Sequence, residues 1–161
     1  MMKIVFALTI VFLLTRISIA QDTIIIAPTP RFEIGGIVGA PTGLSAKLWY
    51  GSVVASSLTA AYSFTENGTF ETDLDFLLHP LNFQTVNQTI NFPLYLGPGF
   101  GARVGDDWFL SIRLPVGAEY IVGKIPIAIF GEVVPQWQFL PDNRTVVGGG
   151  VGVRYRFGSV K

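Results

Sequence analysis

The sequence predicts an all-β chain: an eight-stranded antiparallel up-and-down transmembrane β-barrel behind an N-terminal signal peptide. Three observations predict it. Turn signals recur at short intervals after residue 30, with no apolar stripe at helical spacing between them. The runs between those turns alternate with period two, so each has two distinct faces. The charged residues of the runs all share one phase of that alternation, which leaves the other phase apolar.

The chain starts with "MMKIVFALTIVFLLTRISIAQD", which carries Lys3, an apolar run from Ile4 to Leu14, and small residues at Ser18 and Ala20. This is the pattern of a secretory signal cleaved after Ala20. A membrane-anchoring helix needs about 20 apolar residues, and this run is shorter and interrupted by Arg16. Residues 1–20 are therefore expected to be a signal peptide, 21–30 a lead, and 31–161 one barrel domain. Eight strands are expected at about 32–39, 44–50, 53–64, 69–79, 94–104, 108–122, 127–139 and 146–157, separated by "APTG", "GS", "TENG", "GDD", "GKIP" and "LPDN". Several of these runs are long for a soluble sheet and suited to tilted strands crossing a bilayer.

The strand at 108–122 illustrates the phase. Trp108, Leu110, Ile112, Leu114, Val116, Ala118, Tyr120 and Val122 fall on one face; Phe109, Ser111, Arg113, Pro115, Gly117, Glu119 and Ile121 fall on the other. Carried through all eight runs, the alternation puts Glu33, Lys47, Glu71, Asp73, Asp75, Arg103, Arg113, Glu119, Glu132, Arg154 and Arg156 on one side, read as a lumen charge network. A soluble lipocalin-like binding barrel would turn its apolar face inward instead. The inverted arrangement is favoured by the export signal and by bulky apolar residues along whole strands. It is favoured too by Trp108, Tyr120, Trp137, Tyr155 and Phe157 near strand ends on the apolar face, where an aromatic girdle sits. Gly148, Gly150 and Gly152 precede Arg154 and Arg156 on the inward face, and Gly97, Gly99 and Gly101 precede Arg103, leaving room for long side chains in a narrow lumen.

Composition removes several function classes. Eleven acids balance eleven bases, so there is no basic face for nucleic acid. There is no cysteine, hence no disulfide, thiol nucleophile or zinc-thiolate site, and His79 is the single histidine. Glu71, Asp73 and Asp75 share a face with His79, but one straight strand cannot surround a calcium ion, which needs six to eight oxygens. These acids are expected to pair with Lys47 and the lumen arginines. No "GxSxG" elbow exists, and neither "GPGFGAR" nor "GGGVG" precedes a helix or carries the lysine of a phosphate loop. No catalytic, cofactor-binding or metal residue is assigned, and no enzyme activity is expected. The Asn-x-Thr patterns at 67, 87 and 143 are read as turn residues. Pro98, Pro115 and Pro135 fall inside strands, where each removes a ladder donor, and they are expected to mark bulges or bends.

The stretches "GAPTGLSAKLWYG" (39–51), "YLGPGFGARVG" (95–105), "IRLPVGAEY" (112–120), "IFGEVVPQW" (129–137) and "GGGVGVRYRF" (148–157) resemble small bacterial outer-membrane β-barrel proteins of unknown function. The architecture is more distantly similar to the membrane domain of outer membrane protein A. The resemblance implies an eight-stranded barrel in the bacterial outer membrane and brings no catalytic residues. Expected partners are outer-membrane lipids and the barrel assembly machinery, which is thought to read an aromatic-terminated last strand. A periplasmic protein is the partner considered at 80–93, the longest connection. Both termini are then periplasmic, with 40–43, 65–68, 105–107 and 140–145 outside. The function expected is a structural or interaction role with a closed lumen. The alternatives are a small pore or transport protein, an outer-membrane lipid-modifying enzyme, and the soluble binding barrel.

Overall fold

The computed structural model describes residues 31–63, 68–84, 90–122 and 125–158. The segments 1–20 and 21–30, and Asn67 and Asn87, lie outside the described residues. Within them the chain is all-β, in ten strands: β1 (Phe32–Ala40), β2 (Gly43–Trp49), β3 (Val54–Ser63), β4 (Thr69–Gln84), β5 (Ile90–Leu96), β6 (Gly99–Val104), β7 (Phe109–Arg113), β8 (Val116–Val122), β9 (Ile127–Leu140) and β10 (Arg144–Phe157).

All pairings are antiparallel, and β10 pairs with both β9 and β1, so the sheet closes into a ring. Ten strands make eight staves, because β5 and β6 form one stave and β7 and β8 another. Leu96 pairs with Val116 and Gly99 with Arg113, so one register runs through both interruptions. Closure leaves no edge strand unpaired among the described residues. The connections after β1, β3, β6 and β9 lie at one end of the ring, here the far end. The first residues of β1 and the last of β10 meet at the other, the terminal end, where Phe32 pairs with Phe157 and their rings stack at 5.9 Å.

Two expectations are corrected. The first is the long connection at 80–93. β4 runs on to Gln84, and Leu81, Asn82, Phe83 and Gln84 pair with Leu94, Pro93, Phe92 and Asn91. Pro80 reads as a strand end in the sequence, but one extra residue on β4 between Leu78 and Leu81 absorbs it and the ladder resumes. Only 85–89 remain as connection, outside the described residues. The second is that the three prolines mark bulges. None shifts the register: Pro98 and Pro115 interrupt the strands without displacing them, and Pro135 stays inside β9. The register shifts fall elsewhere, at His79–Pro80 and at Phe139.

Along every stave the polar phase points in and the apolar phase points out. β7 alternates from buried Phe109 through exposed Leu110, buried Ser111 and exposed Ile112 to buried Arg113. Eight staves enclose an interior only wide enough for side chains to fill, and here much of the filling is charged.

Candidate functional site

The eleven charged residues picked out by alternation all project from the inner wall, where they fall into two clusters. The terminal-end cluster holds Glu33, Lys47, Glu119, Arg154 and Arg156. Glu33, on β1, is fully buried and accepts from Arg156 Nε at 2.9 Å and from Trp49 Nε1 at 2.9 Å. Arg156 sits directly across from Glu33 in the β1–β10 register, so the pair is built by strand pairing itself. Glu119, also fully buried, takes two bases through one oxygen: Lys47 Nζ at 2.5 Å and Arg154 at 3.1 Å. Arg154 also donates to Ser45 Oγ at 2.9 and 3.0 Å, and its guanidinium lies 3.6 Å over the Phe130 ring. Gly152 makes room for that ring: a Cβ there would collide with Phe130. Of the glycines of the last strand, Gly152 thus accommodates an aromatic platform under Arg154, while Gly150 lies against Ile37 and Gly148 against Ala40.

Lys47 also donates to His79 Nε2 at 2.8 Å and stands 4.3 Å over the Trp49 ring. An ammonium group only donates, so Nε2 accepts and the ring proton sits on Nδ1, facing the Val53 carbonyl at 3.1 Å. Both His79 nitrogens are therefore committed, and the ring lies tilted against Trp49 at 4.2 Å and Tyr95 at 5.5 Å.

The far-end cluster holds Glu71, Asp73, Asp75, Arg103, Arg113 and Glu132. Arg103 meets Glu71 at 2.6 Å, again directly across a strand pair, and is its only partly exposed base. Arg113 serves three carboxylates: it contacts Asp73, lies 3.1 Å from Asp75, and reaches Glu132 at 3.8 Å. The Asp75 contact is at ion-pair distance without hydrogen-bond geometry, and Asp73 Oδ1 accepts no hydrogen bond. Glu132 has one further partner, the Tyr95 hydroxyl at 2.7 Å. Gly99 lets Asp75 lie across its backbone, since a Cβ would overlap the carboxylate.

The expected pairing of Glu71, Asp73 and Asp75 with Lys47 is thereby corrected. The arginines Arg103 and Arg113 take the three acids, while Lys47 goes to Glu119. Lys47 and Asp75 lie on β2 and β4 with β3 between them, and Lys47 instead reaches across the lumen to β8. Alternation assigns a side but not a partner. Residues that the charge pattern alone missed are Trp49, Tyr95, Ser45, Ser111 and Gln136, which donates to Ser111 Oγ at 2.9 Å. Each shares the phase of a charged neighbour on its own stave, Tyr95 with Arg103 for example, so the count that already puts Ser111 inward reaches the others as well. Among the described residues, no group of three or more His, Asp or Glu side chains is placed to hold a metal ion.

The five aromatics expected as a girdle are exposed on the outer wall. Trp108 and Trp137 stand toward the far end, where Trp137 Nε1 donates to Asn143 Oδ1 at 2.6 Å. Tyr120, Tyr155 and Phe157 stand toward the terminal end, with Tyr155 and Phe157 edge-to-face at 4.8 Å.

Fold and site together define a closed antiparallel ring of eight staves with a charged, filled interior and an apolar exterior. Compared with known proteins, the chain matches no family model, no curated protein and no solved structure.

Proposed function

We propose that this is a bacterial outer-membrane β-barrel protein whose lumen is closed by ion pairs and which serves a structural or interaction role without catalysis. One observation carries the reading: the ring is inverted relative to a water-soluble barrel. Fully buried Glu33 and Glu119 lie inside, while Leu58, Leu74, Phe76, Ile129 and Val153 are each between 42% and 49% exposed outside. Soluble monomers rarely expose contiguous apolar surface beyond a few hundred Å², and here it encircles the chain. Lipid would cover that wall, and a closed ring satisfies the backbone groups that lipid cannot.

The long staves support the same reading. A tilted strand crosses a bilayer in about 9–11 residues, and β9 and β10 have 14 each. The aromatics near both ends would sit at the two headgroup levels. The resemblance to small outer-membrane barrels, and the export signal expected at 1–20, point the same way. Tyr155 and Phe157 would present the last strand to the assembly machinery.

The protein is expected in outer-membrane fractions, floating with lipid vesicles and migrating differently on gels before and after heating. Recovery from the periplasm in soluble form without detergent would overturn the membrane reading and favour a binding barrel. In planar bilayers the filled lumen should give negligible steady conductance, because a selective pore carries rings of one sign and this lumen is paired. Stable, reproducible channels would favour the small-pore alternative.

A further inference from the structure

The three strand prolines lie in two adjacent rows of neighbouring staves, and that coincidence has a mechanical result. In an antiparallel pair, two hydrogen-bonded residues exchange both N–H···O bonds. Phe76 N–H donates to Pro98 O at 2.9 Å, Gly97 N–H to Pro115 O at 3.2 Å, and Leu114 N–H to Pro135 O at 2.9 Å. Each return bond is missing, because proline has no N–H. Three consecutive seams, β4 to β5–β6, β5–β6 to β7–β8, and β7–β8 to β9, each lose one ladder bond at nearly the same height.

Directly beside these rows the outer wall carries a groove of about 650 Å³. Its walls are Leu94, Leu96, Val116 and Val133, and its floor is Ala118 and Gly131, which pair across β8 and β9. The groove runs from β4 to β10, four strand spacings or about 19 Å. Behind its floor stands the inward Tyr95, 1% exposed, packed so closely on Gly117 that a Cβ there would lie 2.5 Å from the ring. At this height the wall is little thicker than backbone.

We propose that this stretch is a lateral portal, a compliant seam through which one hydrocarbon chain of a surrounding lipid passes from the outer groove to Tyr95. The inference rests on the membrane reading above. The chemistry selects the occupant: the groove offers aliphatic side chains and already-paired backbone, so it suits an acyl chain rather than a headgroup. It is also continuous with the apolar wall that lipid would cover. The Tyr95 hydroxyl, held by Glu132 at 2.7 Å, is the first polar group such a chain would meet.

The test uses the full chain in phospholipid vesicles containing a lipid with a diazirine at the end of one acyl chain. After illumination, labelled residues are mapped by mass spectrometry. Labels are expected on Leu94, Leu96 and Val116 and also on inward Tyr95. Gly131→Leu, which fills the floor where a Cβ has room, should lower Tyr95 labelling several-fold. Amide exchange of Phe76, Gly97 and Leu114 should run about ten-fold faster than in the β9–β10 ladder at the same level. Pro98→Ala with Pro115→Ala and Pro135→Ala restores three donors and should slow that exchange about two- to ten-fold per bond. Single variants serve where the triple fails to fold. Labelling of outer residues that never includes Tyr95, or equal protection in both ladders, would overturn the portal. Absence of label even from Leu44 and Leu58, on β2 and β3 away from the groove, with no flotation, would instead overturn the membrane reading and the portal with it.

Discussion

The two lumen clusters share only the β7–β8 stave, which gives Glu119 to one and Arg113 to the other, and they are balanced in opposite ways. The terminal-end cluster has two acids and three bases, the far-end cluster four acids and two bases, and so they carry +1 and −2. The terminal end distributes its surplus: Arg154 is held by Ser45 and Phe130 as well as by Glu119, and Lys47 by His79 as well as by Glu119. The far end concentrates its surplus on a single guanidinium, Arg113, which faces three carboxylates. Buried ion pairs are weak sources of stability, but breaking one is costly because the abandoned charge stays buried. The cost of a deletion should therefore follow how many charges lose their last partner, not how many bonds are cut.

The largest effect is expected at Arg113. Arg113→Ala leaves Asp73 and Asp75 without a base and Glu132 with only Tyr95, and should cost about 3–5 kcal/mol. Outward Leu114→Ala, one residue along, loses only half-exposed apolar contact and is the natural control. Urea unfolding in lipid vesicles measures both; equal losses would break the idea that the far end hangs on one residue.

Arg154→Ala comes next. It removes more contacts than Arg113→Ala, but Glu119 keeps Lys47 and the cluster becomes neutral. The expected loss is about 1–3 kcal/mol, the range for unmade buried hydrogen bonds. A loss larger than that of Arg113→Ala would mean that contact number, not charge balance, governs the lumen.

Much of this could be read from the chain because alternation is a local property. Each stave carries its own phase, so Arg113 and Glu119, on one stave and both inward, need no knowledge of the neighbours. The outward placement of Trp108, Tyr120, Trp137, Tyr155 and Phe157 and the eight-stave closure follow from the same count. Partners could not be read, because Lys47 finds Glu119 across 72 positions of sequence and across the lumen. That contact depends on strand stagger, which no single strand encodes. In the sequence, the stave through His79 and Pro80 ends at His79 for a related reason. A proline in a strand usually marks an end, and only the β5 side, with Leu94 pairing to Leu81, shows that one inserted residue lets the ladder continue.

A smaller effect, of opposite sign, sharpens the comparison at Asp75. Asp75→Asn keeps the shape of the side chain while removing one of three like charges around Arg113. The far-end cluster then falls from −2 to −1, and like charges sharing a site oppose each other's ionisation. Stability should rise by up to about 1 kcal/mol in the same urea assay. A loss above that size would mean Arg113 needs all three acids, and that the excess is built in as a counter-charge to something nearer the terminal end.

The smallest effect is expected where the lumen meets water. Arg103 and Glu71 form the shortest of the arginine pairs whose geometry is well formed, at 2.6 Å and 3.1 Å, yet the Arg103 side chain is 29% exposed. It also lies 4.9 Å over the Phe109 ring. Water at the mouth can solvate Glu71 when the guanidinium is gone, so the abandoned charge does not stay buried. Arg103→Ala should then cost only about 0.2–1 kcal/mol, the range for exposed pairs. Its loss should shrink further as salt is raised from about 0.01 M to 1 M, since the screening length falls from about 30 Å to 3 Å. Arg113→Ala, deep inside, should keep its full cost over the same range. If the two variants respond alike to salt, the far end is wet throughout, and Asp73, Asp75 and Glu132 are solvated rather than held by a single arginine.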